Sequence, residues 1–160
     1  MPDRRETAAK CPEPRSYSWR GDADVPAFAD EHPLIVLDGE CVLCSANARF
    51  VLRRDRRRRF RLTTAQGPLG AALYRHFRLR ADEEGTILVL QGGRLLTGSD
   101  AVIAIPAGLG WPWRAAAALR LVPRPLRDAL YRWVARNRFR WFGRRETCWA
   151  PAPADADRIV

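Results

Sequence analysis

Apolar residues occur along the chain in short continuous runs, separated by longer segments with a helical period. Residues 33–38 (PLIVLD) form such a run and predict a buried parallel strand. From Cys41 the apolar positions follow the helical period, and residues 60–64 (FRLTT) alternate again and predict a second strand. A helix is predicted from Pro68 to about residue 77, because proline is well tolerated in a first helical turn.

The next two strands are predicted to form a hairpin. Residues 86–90 and 94–98 are separated by Gly92-Gly93, and both glycines can take positive φ without steric cost. Ser99 or Asp100 can then cap a third helix. The resulting β-α-β-α-β-β-α order, with two cysteines where the first helix begins, predicts an α/β fold with a thioredoxin-like core.

The segments outside this core differ from it in composition. Residues 1–32 are rich in proline and charge, show no periodicity, and are expected to be a flexible extension. Residues 33–108 form the predicted core. The rest is predicted to be a basic α-helical extension packed on the core over 109–149, with helices at 113–121 and 125–138, and a frayed tail over 150–160.

The charge of the chain is strongly positive. Its formal net charge is +10, and between Arg114 and Arg145 ten arginines face one acid, Asp128. Aromatic residues interleave with these arginines, so the segment could bind nucleic acid or an anionic membrane surface. A solvated face whose aromatics cover the core is the simpler interpretation. We therefore expect no nucleic-acid partner and keep peripheral contact with an anionic membrane open.

The expected compartment is the cytoplasm. No stretch approaches the ~18 apolar residues of a membrane span, and the first residues contain no apolar run typical of a signal peptide. Thiols stay reduced in the cytoplasm, where a CxxC pair more often has a catalytic or metal-binding role than a purely structural one.

Cys41 and Cys44 are the candidate reactive pair. Their spacing brings two sulfur atoms within reach of a disulfide. At a helix start, the unpaired N–H groups and the helix dipole favour a thiolate and lower its pKa. We expect Cys41 to be the exposed nucleophile and Cys44, one turn later, to be the buried resolving thiol. Between them, Val42-Leu43 offers no histidine, which predicts a mild oxidant.

Asp38 precedes the pair at the end of the first strand. It could accept hydrogen bonds from the turn or relay a proton to or from Cys44, and the simplest interpretation is a turn or capping residue. A carboxylate near Cys41 opposes thiolate formation, so the hydrogen-bonding role is physically easier.

Two other interpretations of the CxxC pair remain open. Zinc needs four ligands, and the remaining candidates are Cys11, Cys148, His32 and His76, scattered along the chain. Simple packing of both cysteines is the other alternative, because free cysteine is readily buried. We expect no resident metal and no cofactor.

Several segments together resemble the DCC family of predicted thiol–disulfide oxidoreductases. They are the D-x-x-C-x-x-C motif in LDGECVLCSANARFVLRRDRRRRF, then DEEGTILVL, GSDAV, LRLVPRPLRDALYRWVARNRFRWFG and GRRETC, together spanning roughly residues 33–149. The resemblance implies a thioredoxin-like fold and disulfide exchange by Asp38, Cys41 and Cys44. The chain departs from the family's pattern at Val42, where proline is frequent, and at TAQG (64–67), where PLQS-like sequences are common.

The resemblance also suggests residues that contact substrate. Thr86 stands where thioredoxins carry a cis-proline that helps to hold the substrate chain. GSDAV resembles the segment with which glutathione-binding relatives hold a carboxylate, so Ser99 and Asp100 are candidate substrate-binding residues, although capping of the third helix explains them equally well. Cys148 recurs in GRRETC and is a candidate third thiol if the tail folds over Cys41.

The sequence therefore predicts a thiol–disulfide oxidoreductase whose substrate is a protein or a small thiol such as glutathione. The alternative is a non-catalytic basic binding module with a structural or metal-bound CxxC pair.

Overall fold

A four-stranded sheet forms the centre of the molecule. The computed structural model describes residues 17–80 and 87–160. The strands are β1 (Leu34–Leu37), β2 (Arg61–Thr64), β3 (Leu88–Gln91) and β4 (Arg94–Leu96), in the order β2-β1-β3-β4. β1 pairs with β2 in parallel and with β3 in antiparallel fashion, and β3 and β4 form the antiparallel hairpin.

Four α-helices accompany the sheet in the described residues. They are α1 (Val42–Arg54), α2 (Pro68–His76), α3 (Gly98–Gly108) and α4 (Arg124–Phe142). Short 3-10 helices occur at Ser18–Gly21, Trp113–Leu121 and Pro153–Arg158. The order β1-α1-β2-α2-β3-β4-α3 is the predicted one, so the thioredoxin-like α/β fold is confirmed. The predicted helix at 113–121 has the tighter 3-10 geometry, and α4 extends four residues beyond its expected end.

The sheet is buried on both faces because side chains alternate along each strand. Ile35 and Leu37 of β1 point into one apolar cluster with α1 and α3. Leu34 and Val36 point into a second cluster with α2. Burial on both sides explains the continuous apolar sequence of β1, which is typical of a central strand.

The β3–β4 hairpin turns at two glycines, as the sequence predicts. Gly92 and Gly93 have φ values of 57° and 78°, in the left-handed region that glycine adopts without strain. This turn directs β4 back along β3 and brings the start of α3 to the side of the sheet where α1 lies.

Both chain ends contact the core where the structure describes them. In residues 17–32, Trp19 joins the second apolar cluster and its Nε1 donates to Asp30 at 2.9 Å. The end of the chain is attached as well. Arg158 is buried, and its Nη2 donates to Asp55 Oδ2 at 2.5 Å. No helix in residues 17–80 and 87–160 combines the length and hydropathy needed to cross a bilayer.

Candidate functional site

The two cysteines lie at the junction of β1 and α1. Asp38–Glu40 form the turn, and Cys41 is the N-cap residue of α1, with extended φ and ψ of −84° and 123°. The main-chain N–H of Cys44 donates to Cys41 Sγ at 3.3 Å. One of the unpaired N–H groups at the start of the helix therefore points at the sulfur, which is the placement that the sequence predicts.

The surroundings of the pair shift the pKa values of the two thiols in opposite directions. The pKa of Cys41 is lowered to about 6, mainly by the hydrogen bond between the Cys41 and Cys44 side chains. The Cys44 N–H and the Arg138 guanidinium lower it further. Burial and Asp38 act against this shift. The same side-chain hydrogen bond, together with burial, raises the pKa of Cys44 well above its usual range. Both shifts favour Cys41 as the more acidic thiol of the pair.

Asp38 organises the turn before the pair. Its Oδ1 accepts from the Glu40 N–H at 3.0 Å and from Gln66 Nε2 at 2.8 Å. Its Oδ2 accepts from Arg138 Nη2 at 3.3 Å. Acceptance from the turn is the role that the sequence analysis found physically easier. In all three of these hydrogen bonds the Asp38 oxygens are acceptors.

Arg138 is a buried part of the site that sequence reasoning missed. It lies on α4, 100 residues after Asp38, and its side chain is only 5% exposed. Nη1 donates to the Ala135 carbonyl at 2.9 Å, and the guanidinium lies 4.2 Å from the centre of the Phe139 ring. Its Nε is buried without a partner among the described residues. One feature of the sequence could have indicated its burial. Arg138 follows Tyr131 and Ala135 at helical spacing, so it lies on the same inner face of α4 as half-buried Tyr131 and buried Ala135.

The expectation that Cys41 is exposed is wrong. Cys41 is 0% exposed, and Cys44 is 4% exposed. The cover is the chain segment 144–149, called the covering segment below. Its first residue, Arg144, pairs with Cys41 as in an antiparallel sheet. This cover could not be deduced from local sequence, because it joins residues about a hundred positions apart.

Several contacts hold the covering segment closed. The Arg145 N–H donates to the Glu40 carbonyl at 2.7 Å, and the Trp149 N–H donates to the Gly39 carbonyl at 2.9 Å. Trp149 is 7% exposed and belongs to the same apolar cluster as both cysteines. The Arg144 guanidinium also lies 4.2 Å from the centre of the Phe139 ring. The segment thus occupies the main-chain positions beside Cys41 that an extended partner chain would need.

An apolar groove reaches the pair from another side. It lies between α1, α3 and α4, has a volume of about 870 Å³, and Cys44 and Arg138 contribute to its wall. Leu43 and Phe50 from α1 and Val102 from α3 also line it. The groove therefore approaches the pair at Cys44, whereas the covering segment lies over Cys41.

The start of α3 is occupied by a carboxylate of the chain itself. Ser99 Oγ donates to Asp128 Oδ1 at 2.5 Å, and Asp128 lies within 3.6 Å of the position that a Cβ on Gly98 would take. Asp100 pairs with Arg127 at 2.8 Å. Neither Ser99 nor Asp100 caps the helix, whose N-cap is Thr97. The Ser99 hydroxyl is therefore already paired with Asp128, and substrate binding by Ser99 and Asp100 stays a prediction.

The remaining candidate residues are dispersed. Cys148 is exposed and lies in the covering segment, so the tail does fold over Cys41 as a third-thiol role would require. Thr86 and Cys11 lie outside the described residues. His76 contacts Asp22 at 2.6 Å and Ser18 at 2.9 Å, on α2. In residues 17–80 and 87–160, no group of three or more histidine, cysteine or acidic side chains is placed to hold a metal ion.

Comparison with known proteins identifies the family of the chain. The family model described as DCC1-like thiol-disulfide oxidoreductase matches residues 35–144. The chain belongs to this family. The match begins within β1 and ends at the first residue of the covering segment, so it includes the Asp38–Cys41–Cys44 motif and all of α4.

Two curated relatives of this DCC1-like chain cover most of its length. Uncharacterized protein YuxK of Bacillus subtilis is 31% identical over 127 residues, which are 79% of this chain and 93% of the relative. DCC family protein At1g52590, chloroplastic, of Arabidopsis thaliana is 32% identical over 134 residues, 83% of this chain and 78% of the relative. No solved structure gives a significant match.

Proposed function

We propose that the chain catalyses thiol–disulfide exchange with Cys41 as nucleophile and Cys44 as resolving thiol. Family membership supports a thiol–disulfide oxidoreductase. The observation that carries the residue roles is the N-cap position of Cys41, where the Cys44 N–H points at its sulfur and the pKa falls to about 6. At pH 7 most of Cys41 is then thiolate, the form that attacks disulfides.

The cycle balances with the two thiols alone. Cys41 thiolate attacks one sulfur of a substrate disulfide, forms a mixed disulfide and releases the first substrate thiolate. Cys44 then loses its proton, which protonates the released thiolate, and attacks the Cys41 sulfur. The second substrate sulfur leaves as a thiolate, which takes a proton from solvent, as the Cys41–Cys44 disulfide forms. The substrate gains two electrons, the pair loses two, and an external thiol reverses the change.

Asp38 and Arg138 act in this proposal as positioning residues. Arg138 provides positive charge near Cys41, and Asp38 holds Arg138 and the turn in place. When Cys41 becomes a neutral mixed disulfide, its attraction for the Cys44 proton disappears, which lowers the pKa of Cys44 for the resolving step. That proton passes to the released substrate thiolate, and its relay through the Asp38 carboxylate is part of the proposal.

Access to Cys41 requires that the covering segment move. A substrate sulfur must approach along the line of the new S–S bond, and a side chain that is 0% exposed does not allow this. Opening breaks the two main-chain hydrogen bonds to Gly39 and Glu40 and removes Trp149 from the cluster. Cys148 moves with the segment, and a role for it as a third thiol in resolving or relaying electrons is part of the proposal.

A trapping experiment tests the assignment. In a background with Cys11→Ser and Cys148→Ser, the Cys44→Ser variant should accumulate a stable mixed disulfide with oxidised glutathione or a disulfide-containing peptide, because its resolving thiol is absent. Intact-mass spectrometry measures the adduct. The matched Cys41→Ser variant should give much less adduct, since burial still raises the pKa of Cys44 after the Cys41 sulfur is removed. Equal adducts on both variants, or none on either, would contradict the assignment.

The burial of both cysteines favours one alternative function, a basic binding module in which the pair only packs. Free cysteine is among the most frequently buried residue types, so burial alone does not distinguish the two. The alternative predicts that neither thiol reacts unless the whole protein unfolds, which the same trapping experiment measures.

A further inference from the structure

Helix α4 has an apolar stripe that faces solvent. Its inner side packs on the core through residues such as Ala135 and Arg138, which are buried. Leu126, Leu130 and Trp133 recur at helical spacing on another side and are all exposed. A helix on the surface of a globular protein normally exposes polar residues there, so this second apolar stripe needs an explanation.

The stripe belongs to a larger apolar surface. Leu119 and Leu126 line the same groove from the 3-10 helix and from α4. The ring centres of Trp133 and Trp141 lie 4.8 Å apart. Eight of the ten large hydrophobic side chains that are exposed in the described residues lie between positions 111 and 142, namely Trp111, Leu119, Leu121, Leu126, Leu130, Trp133, Trp141 and Phe142. Their concentration in one segment distinguishes them from scattered surface residues.

Positive charge borders this apolar surface. Arg132, Arg136 and Arg140 recur every four residues along α4, so they form a row beside the stripe, and all three are exposed. Among the described residues, none of the three forms an ion pair with an acid. An exposed apolar stripe flanked by unpaired arginines, with tryptophan at its edge, is the pattern of helices that lie in a membrane interface.

The chemistry of the surface discriminates between partners. A second copy of the chain would bring the same arginine row close to itself, with repulsion between like charges. Single-stranded nucleic acid would use aromatic faces for stacking, but Trp133 and Trp141 pack against each other, and aliphatic side chains such as Leu121 offer no stacking face. An anionic bilayer matches both features, because acyl chains take up the leucines while headgroups pair with the arginines.

We propose that the surface formed by the 3-10 helix Trp113–Leu121 and α4 binds the interface of an anionic lipid bilayer. The apolar side chains enter the boundary between headgroups and acyl chains, and the arginine row contacts lipid phosphates. The groove that reaches Cys44 opens on this same surface, since Leu119, Leu126 and Leu130 line it. Binding does not depend on the redox role of the cysteines, so it is tested independently.

Vesicle co-sedimentation tests the proposal with the full chain kept reduced. Wild-type protein should bind vesicles of phosphatidylcholine with about 30% phosphatidylglycerol, bind pure phosphatidylcholine weakly, and lose binding as salt increases. Replacing Arg132, Arg136 and Arg140 with glutamine should weaken binding about 100-fold, at about fivefold for each arginine. The matched triple variant Arg75→Gln, Arg78→Gln and Arg94→Gln, at exposed positions on or next to α2 and on β4, should bind nearly as well as wild type.

The apolar contribution is tested separately. Leu121 is 86% exposed, so Leu121→Gln with Trp133→Gln should weaken vesicle binding at least tenfold without changing thermal unfolding. Val160→Gln changes an exposed valine whose N–H bonds to β2, outside this surface, and should have no effect. Absence of binding to anionic vesicles at low salt would overturn the proposal. Equal losses of vesicle binding in the control variants would also overturn it. The same holds if vesicle binding is absent and these variants instead abolish a dimer or an oligonucleotide complex.

Discussion

Replacing Trp149 with alanine should open the site and expose Cys41 to alkylation. Trp149 is 7% exposed and is the main apolar contact of the covering segment with the cysteine cluster. Truncation of a buried tryptophan to alanine costs about 3–5 kcal/mol. The main-chain hydrogen bonds from Arg145 and Trp149 to the turn do not need the indole ring, so the variant should still close, but less tightly.

The magnitude follows from the equilibrium between closed and open segment. If the substitution destabilises only the closed state, the open population rises about tenfold for each 1.4 kcal/mol. A loss of about 3–5 kcal/mol then increases the open population roughly 100-fold to a few thousand-fold. Alkylation occurs from the open state, and closing is expected to be faster than chemistry. The rate at Cys41 should therefore rise by the same factor until opening itself becomes limiting.

The assay is timed labelling with iodoacetamide in a Cys11→Ser and Cys148→Ser background, with peptide mass spectrometry to locate the label. Trp19→Ala is the matched control. Trp19 is 4% exposed but packs on the opposite face of the sheet, so its loss lowers global stability without touching the covering segment. Unchanged labelling in Trp149→Ala would refute the reasoning. Equal acceleration in Trp19→Ala would also refute it, because exposure would then arise from global unfolding.

Two further predictions concern buried charge. Arg138→Gln should raise the pKa of Cys41 from about 6, and Asp38→Asn should lower it, each by up to about one unit, because the guanidinium favours the thiolate and the carboxylate opposes it. The pH dependence of thiolate absorbance and of labelling measures both. Arg158→Met should destabilise the fold by about 3–5 kcal/mol in urea unfolding, because it leaves the Asp55 carboxylate buried without its cation.

Matched variants and contrary outcomes accompany these predictions. Asp157→Asn removes an exposed ion pair with Arg58 and should change stability by less than about 1 kcal/mol. Shifts of the Cys41 pKa in the same direction for Arg138→Gln and Asp38→Asn would indicate that both act through a general distortion of the site. An Arg158→Met variant as stable as wild type would mean that the ordered tail contributes nothing to the fold.

The sequence predicted what depends on local pattern. The run PLIVLD identified β1 because a central strand is apolar on both faces. Gly92-Gly93 identified the hairpin because a two-residue turn needs positive φ, which glycine adopts without strain. The position of Cys41 at a helix start followed from the change of hydrophobic period at that residue. Each of these depends on a few neighbouring residues.

What the sequence did not predict depends on contacts between distant segments. The covering segment and Arg138 reach the cysteine pair from the far end of the chain, and no local pattern specifies that approach. The contact of Asp128 with Ser99 at the start of α3 is likewise a contact between distant segments, because Asp128 lies on α4. The proline- and charge-rich composition of residues 1–32 suggested flexibility, but within the described part of that segment Trp19 packs against Phe77 at the end of α2.

A redox titration tests the central claim most directly. The Cys11→Ser and Cys148→Ser protein is equilibrated in glutathione buffers of graded potential, quenched with acid, alkylated and analysed by mass spectrometry. A redox-active pair should give one reversible transition in which Cys41 and Cys44 lose two electrons together, with about 30 mV for each tenfold change in the ratio of oxidised to reduced protein. Two thiols that remain alkylatable across the whole range, or a pair that retains stoichiometric zinc, would contradict it.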